Sequence, residues 1–548
     1  MDNTRIDEED FVRFDRKLSR RSRLAAVAMM SVTLWSASEG TQAQTAGPSL
    51  KGPVRVQQGL LSGAPGRSRA ITVFKGVPFA APPVGPNRWR APQPGAPWTG
   101  TKAASSFSPS CVQTIVEGKH PWSYEFMAHG EVSEDCLYLN VWTPARATTE
   151  RLPVLVFIHG GANVEGSGSI PIYDGEGLAS KGLVVVTVNY RMGIFGFLAH
   201  PELTAESPNH ASGNYGLLDQ IAAVRWVHDN ITAFGGDGSR ITIAGQSAGA
   251  QAVHNLTASP LANGLFHAAI AESGSSVANP TAAGRTLTDQ EQDGVRFASA
   301  KQASSLAALR ALSWQAIFAP LTPTPGASPF RWGPVVDGYA LPASVAQTFA
   351  AGRQNDVPTL TGANADENGA SPQPTATAAS WTAQATQRYG AEASIFLGLY
   401  PAATDAEAKA MQNASARDTS RVSMYLWALD REKTAKTKTY TYYWNHVLPG
   451  PEAGIYGAFH TSEVPYALNS LSQSDRPFVD ADHHIADVMS SYWANFAKTG
   501  DPNGAGLPHW PAVSEQPATT MEIGDHTGAI PVAESQAKVA FLTKVLRK

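Results

Sequence analysis

The segment Ile241-Thr-Ile-Ala-Gly-Gln-Ser-Ala-Gly-Ala250 decides the fold of this chain. Its first four residues form a short and mostly apolar run, which is typical of a strand buried on both faces. The two glycines around Ser247 predict a tight turn, and a helix is expected to begin near Ala250. On such a unit the serine hydroxyl projects from the edge of the sheet. Ser247 is therefore a candidate nucleophile, although the same pattern also occurs in turns without chemical consequence.

The segments around this unit indicate a parallel sheet with crossover helices. Apolar runs at Leu152–Ile158, Leu183–Val188 and Ala268–Ala271 each predict a buried strand, and residues 215–231 have apolar side chains at helical spacing. This alternation is typical of parallel strands in an α/β sheet. A late run, Thr439–Trp444, predicts another strand. The Ala-, Ser- and Thr-rich region from the 280s to the 430s is expected to form insertions that cap the sheet.

A glycine-rich loop precedes Ser247 in the chain. Residues 159–162 read His-Gly-Gly-Ala and directly follow the predicted strand that ends at Ile158. Backbone N–H groups in such a loop can donate to an oxyanion, as can the amide of Ala248 at a helix N-terminus. A phosphate-binding loop is the alternative, but no Gly-Lys-Ser/Thr follows.

A nucleophilic serine needs a general base, and the base needs an orienting carboxylate. Asp366 and Glu367 follow a short strand-like run at Thr359–Gly362, and spacing alone does not separate them. Candidates for the base are His446, His460, His483, His484, His509 and His526. The pattern favours His460, because it lies in a loop after the Thr439–Trp444 strand.

Composition excludes several other classes of protein. The 548 residues carry a formal net charge of -4, with 43% hydrophobic and 16% charged residues. Such a chain forms a large core rather than long disorder, and it lacks the basic excess of a nucleic-acid-binding protein. No metal, organic cofactor or nucleic acid is expected, and no later segment predicts a transmembrane helix.

The first 45 residues differ from the rest. A basic run, Arg16–Arg23, precedes a short apolar stretch, Leu24–Trp35, and residues 41–43 offer small side chains for cleavage. This order is typical of a signal peptide. Residues 1–45 are therefore assigned to it, with cleavage near Ala43, and residues 46–548 to a single domain that is secreted or periplasmic. The alternative is a basic and apolar tail without an export role.

The chain has two cysteines, Cys111 and Cys136. An even count behind an export signal favours one disulfide. It would close a loop of about 25 residues and contribute about 3 kcal/mol. Two free buried thiols are the alternative.

Five motifs resemble blocks of the type B carboxylesterase family, which includes cholinesterases and bacterial para-nitrobenzyl esterases. The similarity runs from about residue 53 to near the C-terminus. The motifs are Phe74-Lys-Gly-Val-Pro-Phe-Ala-Ala-Pro-Pro-Val-Gly85, Ser133-Glu-Asp-Cys-Leu-Tyr-Leu-Asn140, Asn189-Tyr-Arg-Met-Gly193, Gly213-Asn-Tyr-Gly-Leu-Leu-Asp-Gln220 and Gly333-Pro-Val-Val-Asp-Gly338.

The resemblance implies an α/β-hydrolase fold, with a mostly parallel central sheet flanked by helices and large insertions capping the site. It implies that Ser247 is the nucleophile, His460 the base and Glu367 the orienting acid of a carboxylic ester hydrolase that works through an acyl-enzyme. The residues implied beside these three are the oxyanion donors Gly161, Ala162 and Ala248, the disulfide pair Cys111 and Cys136, and the structural residues Asp135, Asp366 and Glu463.

Four positions depart from the family pattern. Ala162 stands where a third glycine is usual and Asn163 where an aromatic residue is usual, so this corner becomes narrower and more polar. Gln246 precedes the serine where many relatives have glutamate, and Asn368 follows Glu367 where glycine is common. A small-molecule ester is the expected substrate. A lipase or amidase of the same fold, and an adhesion module without catalysis, are the alternatives.

Overall fold

An eleven-stranded mixed sheet lies at the centre of the computed structural model, which describes residues 50, 52–276, 284–321, 329–513 and 518–548. Its strands are β1 (Ala64–Pro65), β2 (Thr72–Pro78), β3 (Tyr138–Thr143), β4 (Leu152–Ile158), β5 (Val184–Val188), β6 (Gly236–Gln246), β7 (Ala268–Glu272), β8 (Thr359–Asn364), β9 (Thr439–Trp444), β10 (Thr519–Ile523) and β11 (Gly528–Pro531). They lie side by side in the order β11-β10-β9-β8-β7-β6-β4-β5-β3-β2-β1.

The seven strands from β10 across to β5 in that order run parallel to one another. The flanking strands β1, β2, β3 and β11 pair antiparallel. The prediction of a mostly parallel α/β sheet is therefore confirmed. The antiparallel strands before residue 144 were not predicted, because they are too short or too irregular to show a clear period.

Alternate residues of β4 face opposite sides of the sheet. Val154, Val156 and Ile158 pack in one core with the helices Tyr215–Asn230 and Ala248–Ala258. Leu155 and Phe157 pack in a second core with the helix Asp480–Thr499. Because both faces are covered, the strand reads as one continuous apolar run.

The other helices of the described residues surround the sheet. They are Glu176–Ser180, Gly193–Phe197, Pro201–Glu206, Leu287–Ala300, Leu306–Ala311, Trp314–Phe318, Val345–Ala350, Ala378–Tyr389, Ala393–Leu399, Asp405–Glu432, Ala453–Tyr456, Val464–Ala467 and Gln536–Leu546. Two smaller sheets lie outside the central one. Their strands are Val54–Val56, Gly59–Ser62 and Thr101–Ala103 in one, and Ser110–Cys111 and Val132–Ser133 in the other.

The helix after Ser247 begins at Ala248, two residues before the predicted start. Ser247 itself takes a positive φ of 58°, so the chain reverses at this one residue and the helix follows at once. The predicted helix over residues 215–231 is present as Tyr215–Asn230.

Cys111 and Cys136 form a disulfide, with Cα atoms 5.0 Å apart and both side chains buried. The described residues from 50 onward belong to one compact unit. The signal-peptide prediction for residues 1–45 lies outside the described residues. Within the described ranges, no helix is long and apolar enough to cross a membrane.

Candidate active site

Ser247 stands on a strained turn between β6 and the helix Ala248–Ala258. Its φ of 58° and ψ of -121° lie outside the regions that non-glycine residues favour. Two backbone bonds hold it there: its N–H donates to the carbonyl of Glu272 at 2.9 Å, and its carbonyl accepts from the N–H of Gln251 at 3.0 Å. The turn therefore has a rigid frame that keeps the serine at the end of the strand.

The glycines on either side of Ser247 are required by close packing. A Cβ placed on Gly249 would overlap the carbonyl oxygen of Ile158, and one on Gly245 would lie 2.6 Å from the carbonyl of Gly249. The helix can approach the strands only because both side chains are absent.

The loop after β4 brings free N–H groups beside the serine. Gly161 and Ala162 have φ angles of 99° and 54°. The loop is held by bonds from Val164 and Glu165 to the carbonyl of Gly161, at 2.9 and 3.0 Å. Within the described residues, the amides of Gly161, Ala162 and Ala248 donate no hydrogen bond to the protein. Such amides can serve as oxyanion donors.

Ser247 and this loop line one cavity of about 210 Å³. Its walls are largely apolar, with Trp122, Phe126 and Ile170 among them, while Lys119 and Glu165 form an ion pair on its rim. His460 lines the same cavity. An apolar cavity with a few converging polar groups is typical of a small-molecule site.

His460 is bound to a carboxylate on its far side. Its Nδ1 forms a hydrogen bond with Oε2 of Glu367. The other oxygen, Oε1, accepts from the N–H of Asn364 at 2.7 Å and from Oγ of Ser273 at 3.1 Å. Burial alone would lower the pKa of His460, but the hydrogen bond and charge of Glu367, together with the charge of Glu463, raise that pKa above its usual value. The imidazole is thus held in one orientation beside the cavity.

The chain is similar to known proteins over almost its whole length. The profile of the Carboxylesterase family matches residues 51–542. The chain belongs to the carboxylesterase family. The resemblance inferred from the motifs is confirmed, as is the prediction of an α/β-hydrolase fold and a carboxylic ester hydrolase.

Three relatives illustrate the breadth of the family. A fumonisin B1 esterase of Sphingopyxis macrogoltabida is 37% identical over 525 residues, covering 93% of this chain and 92% of the relative. A medium-chain fatty acyl-CoA hydrolase precursor of Anas platyrhynchos is 34% identical over 481 residues, covering 81% and 83%. A cocaine esterase of Homo sapiens is 32% identical over 552 residues, covering 90% and 91%.

The two candidate acids, Asp366 and Glu367, have different partners in the structure. Glu367 contacts His460, whereas Asp366 turns away: its Oδ1 accepts from Nη2 of Arg417 at 2.6 Å, and its Oδ2 accepts from the N–H of Ala458 at 2.8 Å. Among the six histidine candidates, all of them described, His460 alone lines the cavity. His446, for example, bonds with Asp482 at 2.9 Å.

Nε2 of His460 faces the side chain of Gln246, the residue that precedes Ser247. The amide nitrogen Nε2 of Gln246 lies 3.3 Å away. Within the described residues there is no hydrogen bond between His460 and Ser247. Catalytic hydrogen bonds are often long before substrate binds and tighten in the complex, so the absence of this bond is compatible with His460 acting as a base.

Sequence reasoning missed Glu272 and Ser273 at the end of β7. Glu272 is fully buried, and its Oε1 accepts from Nε1 of Trp493 at 2.7 Å, while Oε2 has no hydrogen-bond partner among the described residues. Burial, and then the charge of Glu463, raise the pKa of Glu272 well above its usual value. The available signal was a glutamate directly after the apolar run Ala268–Ala271.

Proposed function

We propose that this carboxylesterase works by two-step acyl transfer, with Ser247 as nucleophile, His460 as general base and Glu367 as the acid that orients the base. The observation that carries the proposal is the hydrogen bond from His460 Nδ1 to Glu367, beside the cavity that also contains Ser247. Because Nδ1 bears the proton, Nε2 is free to accept one from a hydroxyl.

In the first step His460 Nε2 takes the proton of Ser247 while Oγ attacks the ester carbonyl. The oxyanion accepts hydrogen bonds from the amides of Gly161, Ala162 and Ala248. The bond to the alcohol then breaks, and His460 returns its proton to the leaving alcohol. In the second step water gives a proton to His460 and attacks the acyl-serine. Ser247 recovers the proton as the carboxylic acid leaves.

The decisive test is Ser247→Ala, with the exposed Ser106→Ala as its control. We expect Ser247→Ala to lose at least about 10⁴-fold in kcat for para-nitrophenyl acetate, and the control to lose nothing. A fluorophosphonate probe should add its mass to the peptide that contains Ser247, and to no peptide of the variant. Retained hydrolysis by the variant, or no labelling of the wild type, would overturn the assignment. An adhesion module without catalysis also predicts no labelling.

A second cavity supports esters with a long or bulky apolar group as the preferred substrates. It has a volume of about 940 Å³, and Val164, two residues after Ala162 in the chain, is one of the residues that line it. Its other lining residues include Met192, Phe297, Phe318 and Trp332. We expect kcat/KM to rise with chain length from para-nitrophenyl acetate to the octanoate. A profile that falls with length would contradict this preference. Triglycerides and anilides in the same series distinguish a lipase or an amidase.

Fumonisin B1 belongs in the same substrate series. The fumonisin B1 esterase described above is 37% identical to this chain over nearly the full length of both proteins. Release of free acid from fumonisin B1 by the wild type, and none by Ser247→Ala, would extend that substrate to this chain.

The proposal includes export of a mature chain after cleavage near Ala43. The disulfide between Cys111 and Cys136 supports it, because structural disulfides persist mainly in oxidising compartments. Intact mass of protein recovered from a secreting host should match a chain that begins between residues 44 and 46 and ends at residue 548. A mass that retains residue 1 would refute the cleavage.

A further inference from the structure

The side chain of Gln246 lies beside Nε2 of His460, the ring nitrogen that accepts the proton in the proposed mechanism. Gln246 is the last residue of β6, its side chain is 1% exposed, and its Nε2 lies 3.3 Å from Nε2 of His460. Gly160 leaves room for this amide, because a Cβ on that glycine would lie 3.2 Å from Oε1 of Gln246. The contact is therefore part of the cavity wall and not a chance approach of a mobile surface side chain.

The protonation of His460 determines which kind of contact this is. Nδ1 bonds to a carboxylate and so carries a hydrogen, which leaves Nε2 of the neutral ring with a lone pair only. Such a nitrogen pairs with a donor, and the amide NH₂ of Gln246 is a donor. The bond exists only while the ring is neutral, because imidazolium has no lone pair at Nε2.

We propose that Gln246 is a positioning residue, which holds His460 as a neutral imidazole with Nε2 unprotonated in the cavity that also contains Ser247, and thereby sets the lowest pH at which hydrolysis proceeds. The inference rests on the proposed function of His460 as the base. It assigns Gln246 a role through the histidine and not a contact with the reacting atoms.

The charged groups around His460 explain why an uncharged donor matters there. Glu367 contacts the ring, and the fully buried Glu463 lies behind it; both raise the pKa of His460. Lys119 and Glu165 neutralise each other on the cavity rim. A carboxylate at position 246 would add a negative charge in direct contact with the ring. Gln246 instead stabilises the form of His460 that can accept a proton.

The test is the pH dependence of kcat/KM for an uncharged ester, compared between wild type and Gln246→Glu. An opposite charge at hydrogen-bond distance favours imidazolium, so we expect the acid midpoint of the profile to rise by about one pH unit or more. Activity near pH 9 should largely return, since His460 is then neutral again. The rate of labelling by the fluorophosphonate should shift in the same way, which excludes an effect of substrate ionisation.

Two further variants keep the test decisive. Gln246→Met has a similar volume without a donor, so its acid midpoint should also rise, by about half a unit. Thr114→Glu adds the same charge at an exposed position of the same cavity and should shift the midpoint by less than about 0.3 unit, because solvent screens it. If Gln246→Glu does not fold, Gln246→Met decides the question.

The outcomes separate this inference from the proposed function. An unchanged midpoint in the position-246 variants that fold, or an equal shift in Thr114→Glu, would overturn the role of Gln246 while Ser247→Ala stays inactive. Hydrolysis by Ser247→Ala would overturn the proposed function itself.

Discussion

Asp366 joins the loop of Glu367 to the loop of His460: its Oδ2 accepts from the N–H of Ala458 at 2.8 Å, and its own N–H donates to the carbonyl of Ala458 at 3.1 Å. Glu367 and His460 lie directly beyond these two residues. The distance between Glu367 and His460 is therefore set by a pair of hydrogen bonds between Asp366, one residue before Glu367, and Ala458, two residues before His460.

Replacing Asp366 should impair turnover more than substrate binding. In Asp366→Ala the side-chain bond to Ala458 and the ion pair with Arg417 are lost. We expect kcat to fall about 10- to 100-fold with little change in KM, because small displacements of catalytic groups are costly. Steady-state kinetics with para-nitrophenyl esters measures this. Asp237→Ala, which breaks the ion pair with Arg151, is the control and should leave kcat unchanged.

Glu463 should make stability depend on pH. Burial, and then the charge of Glu367, raise the pKa of Glu463 to about 7. Between its unfolded pKa near 4.5 and this value, the native state keeps a proton that the unfolded chain releases. The free energy of unfolding therefore falls as pH rises through that window.

Glu463→Gln removes the titrating group and keeps an oxygen that can accept from Asn364. We expect the variant to gain stability relative to wild type between pH 4.5 and pH 8. Urea denaturation at the two pH values measures the change. The exposed Glu117→Gln should show no such gain, and equal pH dependence in wild type and Glu463→Gln would contradict the assignment.

Loss of the disulfide should lower stability without direct damage to the active site. Cys111 and Cys136 lie 25 residues apart, so their bond restricts a loop of that length in the unfolded chain. We expect the double variant Cys111→Ser, Cys136→Ser to lose about 3 kcal/mol of unfolding free energy. Denaturation with and without reductant measures this. Reductant should destabilise the wild type and leave the double variant unaffected.

Ala162→Gly should relieve backbone strain in the loop of the proposed oxyanion donors. Ala162 has a φ of 54°, a conformation that costs an L-residue about 1 kcal/mol more than glycine. We expect the free energy of unfolding to rise by up to about 1 kcal/mol, and kcat/KM to improve for bulky esters more than for acetate. Ala147→Gly, at an exposed residue without a positive φ, should instead lower stability. Loss of stability in both variants would refute the strain argument.

Local patterns predicted most of the sheet. The strands β4 and β9 have the bounds that the sequence predicts, and β5 and β7 differ by one residue. All four strands are buried on both faces, so the apolar runs of β4, β5 and β7 and the tyrosine- and tryptophan-rich run of β9 can be recognised without knowing which elements pack against them. The same is true of the turn at Ser247, whose glycines are required by steric contacts within one strand–turn–helix unit.

The sequence by itself therefore determined the α/β class, the serine on its turn and the family of the chain. Spacing left Asp366 and Glu367 open and the family resemblance favoured Glu367, but only the tertiary structure placed Glu367 against His460, and it alone revealed the contact of Gln246 with His460 and the buried position of Glu272. The reason is the range of the forces involved. Strand periodicity and steric limits act between near neighbours. The partner of a carboxylate, in contrast, depends on where its side chain points in the folded protein and on residues that are distant in the chain. His460, for example, contacts Glu367 although the two lie 93 residues apart.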